Sequence, residues 1–238
     1  YQDLFPPPSD STFQWQCDEL WQTAYTFLRA EEDFCKSQAA KPVFLEVSIG
    51  MPPDEHGTLL DTRKPVPVTL SDGGVVRARG RVDRIDLIGQ GTVHTYGIWD
   101  YKTGSDWGFE RKDPFMQGRK VQPFLYLTIA GHRLRERVSD DAQIQYFGFF
   151  FPGVRTYGNR ISWRPDELSE GPQILQMLCD SLANGVFIAT NDARDCAFCD
   201  YRSICGDVEV LAQQSQKKLE NDQNEILEPF RSLRSTEM

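Results

Sequence analysis

Two stretches with the look of sheet interior carry charged residues at set places, and this constrains the chain more than any other feature. Gly80-Arg81-Val82-Asp83-Arg84-Ile85-Asp86 and Ile98-Trp99-Asp100-Tyr101-Lys102-Thr103-Gly104 both read as strands. A strand sends residues i and i+2 to one face, so Asp100 and Lys102 share a face with Ile98, while Trp99 and Tyr101 take the other. Extended back to Val75, the first stretch has Arg77, Arg79, Arg81 and Asp83 at odd positions and the small or apolar Val76, Ala78, Gly80 and Val82 at even ones. A hairpin turned near Gly89-Gln90-Gly91 brings Asp83 beside Asp100 on neighbouring strands, with Lys102 converging on both.

Two carboxylates with few other protein ligands suit Mg²⁺ or Mn²⁺, whose remaining positions go to water and phosphate oxygens. A lysine two residues from one carboxylate can orient water or offset charge developing on a phosphoryl group. The implied reaction class is metal-assisted phosphodiester hydrolysis. An antiparallel sheet with solvated Asp and Lys on its open face gives the same short pattern, so the surrounding residues decide between the two.

Those surroundings are ordered. Gly80 to Asp86, then Asp100-Tyr101-Lys102-Thr103-Gly104, then Gln122-Pro123-Phe124-Leu125-Tyr126 resemble, in order and spacing, three consecutive motifs of the PD-(D/E)XK nucleases of the RecB/AddB type. The resemblance covers roughly residues 40 to 206. It implies a restriction-endonuclease-like α/β core, a mixed central sheet flanked by helices. It further implies that Asp83 and Asp100 hold the metal, that Lys102 assists the attacking water, and that a helix bearing Gln122 and Tyr126 lies beside the site. A glutamate in the preceding strand, here Glu46, is usual in that family, and Arg81 or Arg84 is a plausible partner for it. The implied partners are DNA, as a single strand or duplex end, and a helicase in double-strand-break repair and recombination. The implied action is exonucleolytic rather than endonucleolytic, in the cytoplasm. A non-catalytic DNA-binding or structural module of such a complex is the alternative, and the absence of a Walker motif leaves any ATP-driven unwinding to another region or subunit.

With 238 residues, the chain can bury a sizeable core. No apolar run approaches the roughly 18 residues of a membrane helix, and no signal-peptide pattern opens the chain. The formal net charge of −9 excludes binding duplex DNA with the whole surface, because phosphate affinity comes from Lys and Arg. Contact must be a local patch, for which Arg77, Arg79 and Arg81, and then Arg111, Lys112, Arg119 and Lys120, are candidates.

Four regions follow: 1–40, a proline-containing lead-in and helices; 41–190, the nuclease core; 191–206, a cysteine region; and 207–238, a polar helical tail. Within the core the pattern predicts a strand over Val43 to Gly50 and a hairpin of Val66 to Leu70 with Gly74 to Ile88. It then predicts a strand over Thr92 to Tyr101 and a helix over Pro114 to about Leu134, kinked at Pro123 or beginning near Val121. A buried strand over Ala142 to Pro152 completes a parallel crossover, with a strand within Val154 to Trp163 beside it and a helix over Pro165 to Asn184.

Three of the six cysteines form Cys196-x-x-Cys199-x5-Cys205, a spacing that suits Zn²⁺ or an iron–sulfur cluster. The same nuclease resemblance implies a structural [4Fe–4S] cluster completed by one upstream cysteine. That cysteine normally precedes a Gly-x-x-His type helix, and His56, His94 and His132 lack such a context. The expectation is therefore that the chain, opening on Tyr1, starts inside the domain and the fourth ligand precedes it; Cys17 is the next candidate. Cys179, among Leu175, Leu178 and Leu182, reads as an ordinary buried thiol.

Overall fold

The apolar run Tyr146–Phe151 has no polar face to offer water and lies buried within the sheet, while Gln143 and Gln145 before it stay exposed. The computed structural model describes residues 6, 8–89, 94–109 and 111–235. In chain order it forms α1 (Asp10–Gln38), β1 (Ala40–Ile49), β2 (Val66–Thr69), β3 (Val75–Ala78), β4 (Gly80–Ile88), β5 (Thr95–Tyr101) and α2 (Gln122–Arg137). There follow β6 (Gln143–Phe151), β7 (Asn159–Trp163), α3 (Gly171–Ala183), α4 (Arg202–Cys205), α5 (Val208–Leu219) and α6 (Glu228–Ser235).

The main sheet has the order β1-β4-β5-β6-β7, and only β5 and β6 run parallel, joined by the α2 crossover. This is the mixed, helix-flanked sheet of a restriction-endonuclease-like fold. Residues on one face, Val47, Ile49, Val82, Ile85, Ile98, Phe147 and Phe149, pack with Ile129, Ala130 and Leu134 of α2. On the opposite face Trp99, Tyr146 and Phe150 pack against Phe27, Ala30 and Phe34 of α1.

Several boundaries differ from the sequence pattern. The first helix is single and ends at Gln38, where Ala39 takes a left-handed φ of 47°. Pro42 lies inside β1, next to a shift of register, and β1 is an edge strand that can accommodate proline. The strand expected from Gly74 to Ile88 breaks at Arg79: β3 pairs with β2 in a separate two-stranded sheet, while β4 joins the main one. Arg77, Arg79 and Arg81 consequently do not line one continuous face. Pro114 to Val121 is turn rather than helix; α2 begins at Gln122 with proline in its first turn. A short 3-10 helix over Pro165–Leu168 precedes α3. Of the turn expected at Gly89-Gln90-Gly91, Gln90 and Gly91 lie outside the described residues, as do most of the first seven.

The tail docks more firmly than its sparse apolar residues suggest. Leu233 of α6 is buried in the main core, and α6 packs against α3. Cys179 is half-buried in α3. Among the described residues no helix is long and apolar enough to cross a membrane.

Candidate active site

The site begins where the β4–β5 ladder ends. Paired residues run from Ile88 and Thr95 to Arg84 and Trp99, so the next positions outward are Asp83 and Asp100. Asp83 Oδ2 accepts a hydrogen bond from the Tyr101 amide at 2.7 Å. This side-chain bond ties the two strands together where the ladder has stopped.

Asp100 is only 4% exposed. Its Oδ1 accepts from Gln122 Nε2 at 2.6 Å, and its Oδ2 lies 2.6 Å from Lys102 Nζ. Lys102 Nζ also donates to Gln122 Oε1 at 3.3 Å. Gln122, as the first residue of α2, thus closes a triangle with the carboxylate and the lysine. Asp100 Oδ2 is buried without an aligned hydrogen bond despite the nearby lysine. Burial pushes the Asp100 carboxyl up, against the opposing effect of Lys102, and the Asp83 charge adds to the rise.

Tyr126, one turn along α2, fits against the backbone of β4 because position 80 is glycine. A Cβ there would come within 2.9 Å of the tyrosine ring. The ring meets Phe147 edge-on at 6.1 Å. Tyr126 therefore packs beside the site, and burial raises its phenol.

Glu46 stands on β1 across from Asp83, between the pairs Leu45–Arg84 and Val47–Val82, with a left-handed φ of 52°. Such a φ is costly for a residue with a side chain and is found most often where function holds it in place. Burial and then the Asp83 charge raise the Glu46 carboxyl, while Arg81 lowers it. Arg81 donates to Asp54 at 3.0 Å rather than to Glu46. Arg84, the other expected partner, points to the opposite face of the sheet, where it holds Asp86 at 2.6 Å and Glu31. The Arg84 guanidinium is thus committed to Asp86 and Glu31 and does not pair with Glu46.

Sequence reading missed how Lys120 is placed. Its ammonium stands 2.9 Å from the centroid of Phe109 and donates to the Gly108 carbonyl at 3.3 Å. Phe109 packs edge-on against Phe149 at 4.9 Å, and Lys102 lies over that second ring at 5.1 Å. Lys120 had appeared as one cation in a run of four, and nothing in its neighbours marked it out.

With these positions fixed, the chain can be compared with known proteins. Residues 2–206 match the PD-(D/E)XK nuclease superfamily. The chain belongs to that superfamily. No curated protein matches it. Membership in a PD-(D/E)XK family implies a metal-dependent nuclease and therefore a nucleic-acid substrate.

The donor chemistry agrees with such a metal. Asp83 and Asp100 offer hard oxygens, one of them buried and without an aligned hydrogen bond, and nearby Glu46 leaves carboxylates in excess over Lys102. Mg²⁺ needs only one or two carboxylates. In the present arrangement, no group of three or more His, Cys, Asp or Glu among the described residues is placed to hold a metal. A hollow of about 480 Å³ lies between 191–194 and α5, apart from these residues.

The cysteines are brought only partly together. Cys196 is buried, Cys199 and Cys205 are exposed, and all three are free. Burial and then the two neighbouring thiols push the Cys196 thiol up. The segment is tied to the core by Arg119, which bonds Asp195 at 2.9 Å. Cys17 stands on α1 and forms no metal-holding group with these three.

Proposed function

We propose that this chain hydrolyses phosphodiesters in DNA, with Asp83 and Asp100 as the residues that would hold a divalent cation. The observation that carries this is the closed set of Asp100, Lys102 and Gln122, which joins the second and third sequence motifs through side-chain bonds, with Asp83 across the end of the ladder. A Mg²⁺ or Mn²⁺ ion, when bound, supplies Lewis-acid stabilisation of phosphoryl oxygens and a more acidic water. The protein's own part is positioning. Gln122 orients Asp100 and Lys102, Lys102 places positive charge where the phosphoryl group gains negative charge, and Tyr126 fixes the first turn of α2 against β4. Glu46 adds negative charge beside Asp83 and is the third candidate carboxylate.

The RecB/AddB type, action from DNA ends and work beside a helicase in break repair belong to the same proposal. They are supported by the order of the three motifs and by the C-terminal cysteines. For those cysteines the proposal is a [4Fe–4S] cluster, with Zn²⁺ as the alternative. Iron and sulfide analysis of protein purified without oxygen tests this: colourless, iron-free protein refutes the cluster and leaves the nuclease assignment standing.

The deciding assay is Mn²⁺-dependent cleavage of single-stranded DNA by the chain and by Lys102→Ala. Cleavage by the first and not the second is expected. Equal cleavage by both removes Lys102 from the chemistry, and absence of cleavage by either favours the non-catalytic alternative.

A further inference from the structure

The segment between the Asp-x-Lys motif and α2 is built with unusual care for a loop. Met116, Gln117 and Gly118 all have left-handed φ, at 48°, 53° and 78°. Two of them carry side chains, so the turn is strained. It is held from several sides. The Asp113 carboxylate accepts from the amides of Phe115, Met116 and Gln117 at 3.1, 2.7 and 3.1 Å. Phe115 is buried in the core, Leu233 of α6 packs on Gly118, and Arg234 donates to the Gln117 carbonyl at 2.7 Å. Arg119 is bonded to Asp195.

What this braced turn delivers is Lys120 and, two residues later, Gln122. The Lys120 amide donates back to the Phe115 carbonyl at 2.9 Å, which fixes the start of its side chain. The side chain is half-buried and its ammonium rests on the Phe109 ring and the Gly108 carbonyl. Among the described residues no carboxylate pairs with it, and the charged group that bears on it is Lys102. A half-buried cation without an anion is costly in the free protein unless it serves a ligand. The first turn of α2 has no acidic residue and no side-chain cap, so the helix dipole adds positive potential here.

We propose that Lys120 is a phosphate-binding residue, holding a backbone phosphate of the nucleic-acid strand beside the one addressed by Lys102. This rests on the nuclease assignment for the nature of the strand, but its evidence is separate: an ammonium with no carboxylate partner among the described residues, across the Phe109–Phe149 pair from Lys102. The two lysines face one substrate from β5 and from the braced turn.

The test uses the full chain carrying Asp100→Asn, which on the assignment above binds without cleaving, and a fluorescent single-stranded oligonucleotide. Lys120→Met keeps the stem that covers Phe109 and removes the charge. It is expected to weaken binding several-fold and to reduce the slope of log affinity against log salt by about 0.7, one phosphate contact on a single strand. Lys120→Arg is expected to restore both, whereas Lys217→Met, on exposed α5, changes neither. Burial, then Lys102, lowers the Lys120 ammonium to about 8. Affinity should therefore fall as the pH rises from 7 to 9 and become flat over that range in Lys120→Arg.

Unchanged affinity and salt slope in Lys120→Met overturn the proposal. So does a loss of thermal stability that accounts for the whole loss of affinity, which would make Lys120 a structural residue. If the unsubstituted chain binds the strand but cleaves nothing with Mn²⁺, the nuclease assignment fails, while the comparison of Lys120→Met with its parent still decides the phosphate site.

Discussion

Strands β4 and β5 carry a charged cluster on each face, and the two clusters are built on opposite principles. On the face under α1, Arg84 is held by Asp86, Glu31 and the Tyr101 hydroxyl, and Arg160 by Glu31 and the Ala30 carbonyl. Two arginines meet two carboxylates. Burial works against the Arg84 charge, but the hydrogen bonds it donates to Asp86, Tyr101 and Glu31 outweigh it. On the other face, Asp83 and Asp100 stand with Lys102, Glu46 adds its charge near Asp83, and Arg81 is drawn aside to Asp54. Here negative charge is in excess. The balanced cluster is sealed by a helix and the unbalanced one is left at the open end of a ladder. Buried charge that is neutralised holds structure together; buried charge left over is what a bound cation would offset under the proposed function.

Substitutions should separate the two faces. The largest effect is expected from Asp100→Asn or Lys102→Ala, which should lower the rate of DNA cleavage by at least about 10²–10³-fold while leaving the unfolding midpoint equal or higher. A variant that unfolds instead would put Asp100 with the structural charges. Arg84→Met should do the reverse. It strands Asp86 and leaves Glu31 with Arg160 alone, and should cost about 3–5 kcal/mol of stability in denaturant unfolding, with the remaining folded protein still able to cut. Loss of activity at full stability would show that the two faces are coupled.

Added Mg²⁺ or Mn²⁺ sharpens the contrast further. At a hundred times its dissociation constant the ion should stabilise the protein by about 2.7 kcal/mol, read as a rise in Tm that chelator reverses. Asp83→Asn and Asp100→Asn should abolish the rise, and Asp86→Asn should not. The smallest effect belongs to a surface pair that resembles neither cluster. Arg194 holds the Asp192 carboxyl down to about 2, below its unfolded value. Its contribution is present above about pH 4 and is lost as pH falls through 2. Because the arginine is largely exposed, solvent screening keeps this to well under about 1 kcal/mol, so Asp192→Asn should barely move the denaturant midpoint at pH 7.

The open face was the legible one. Asp100 and Lys102 share a face by the two-residue period of a strand, and proline after Gln122 set the start of α2 where it lies. The sealed face was not legible, since Arg84 and Asp86 look like any polar alternation until Glu31 and Arg160 arrive from distant positions. The hairpin of β2 with β3 was legible, but the break at Arg79, beyond which β4 leaves for the main sheet, was not. The left-handed turn at Met116 and Gln117 gave no signal either: such angles are normally announced by glycine, and here only Gly118 supplies one. Leu233 was not singled out in the polar tail, because its burial comes from the distant core it docks on. Glu46 was singled out by its place before the first motif, but its backbone angle could only be seen in the structure.

The first helix has one more consequence. None of the residues of α1 is fully buried, and Trp15, Leu20, Trp21, Tyr25 and Leu28 are exposed, so little apolar area opposes its leaving the sheet. What holds its C-terminal half is Glu31 between two arginines, together with Phe27, Ala30 and Phe34. Release would have to break both ion pairs at once, so the helix should open as a unit. Hydrogen exchange should accordingly show the amides of α1 trading together, at a lower opening free energy than the amides of β5 and β6. The strands bearing Asp83 and Asp100 would keep their protection throughout, leaving the proposed site still while the back of the sheet breathes.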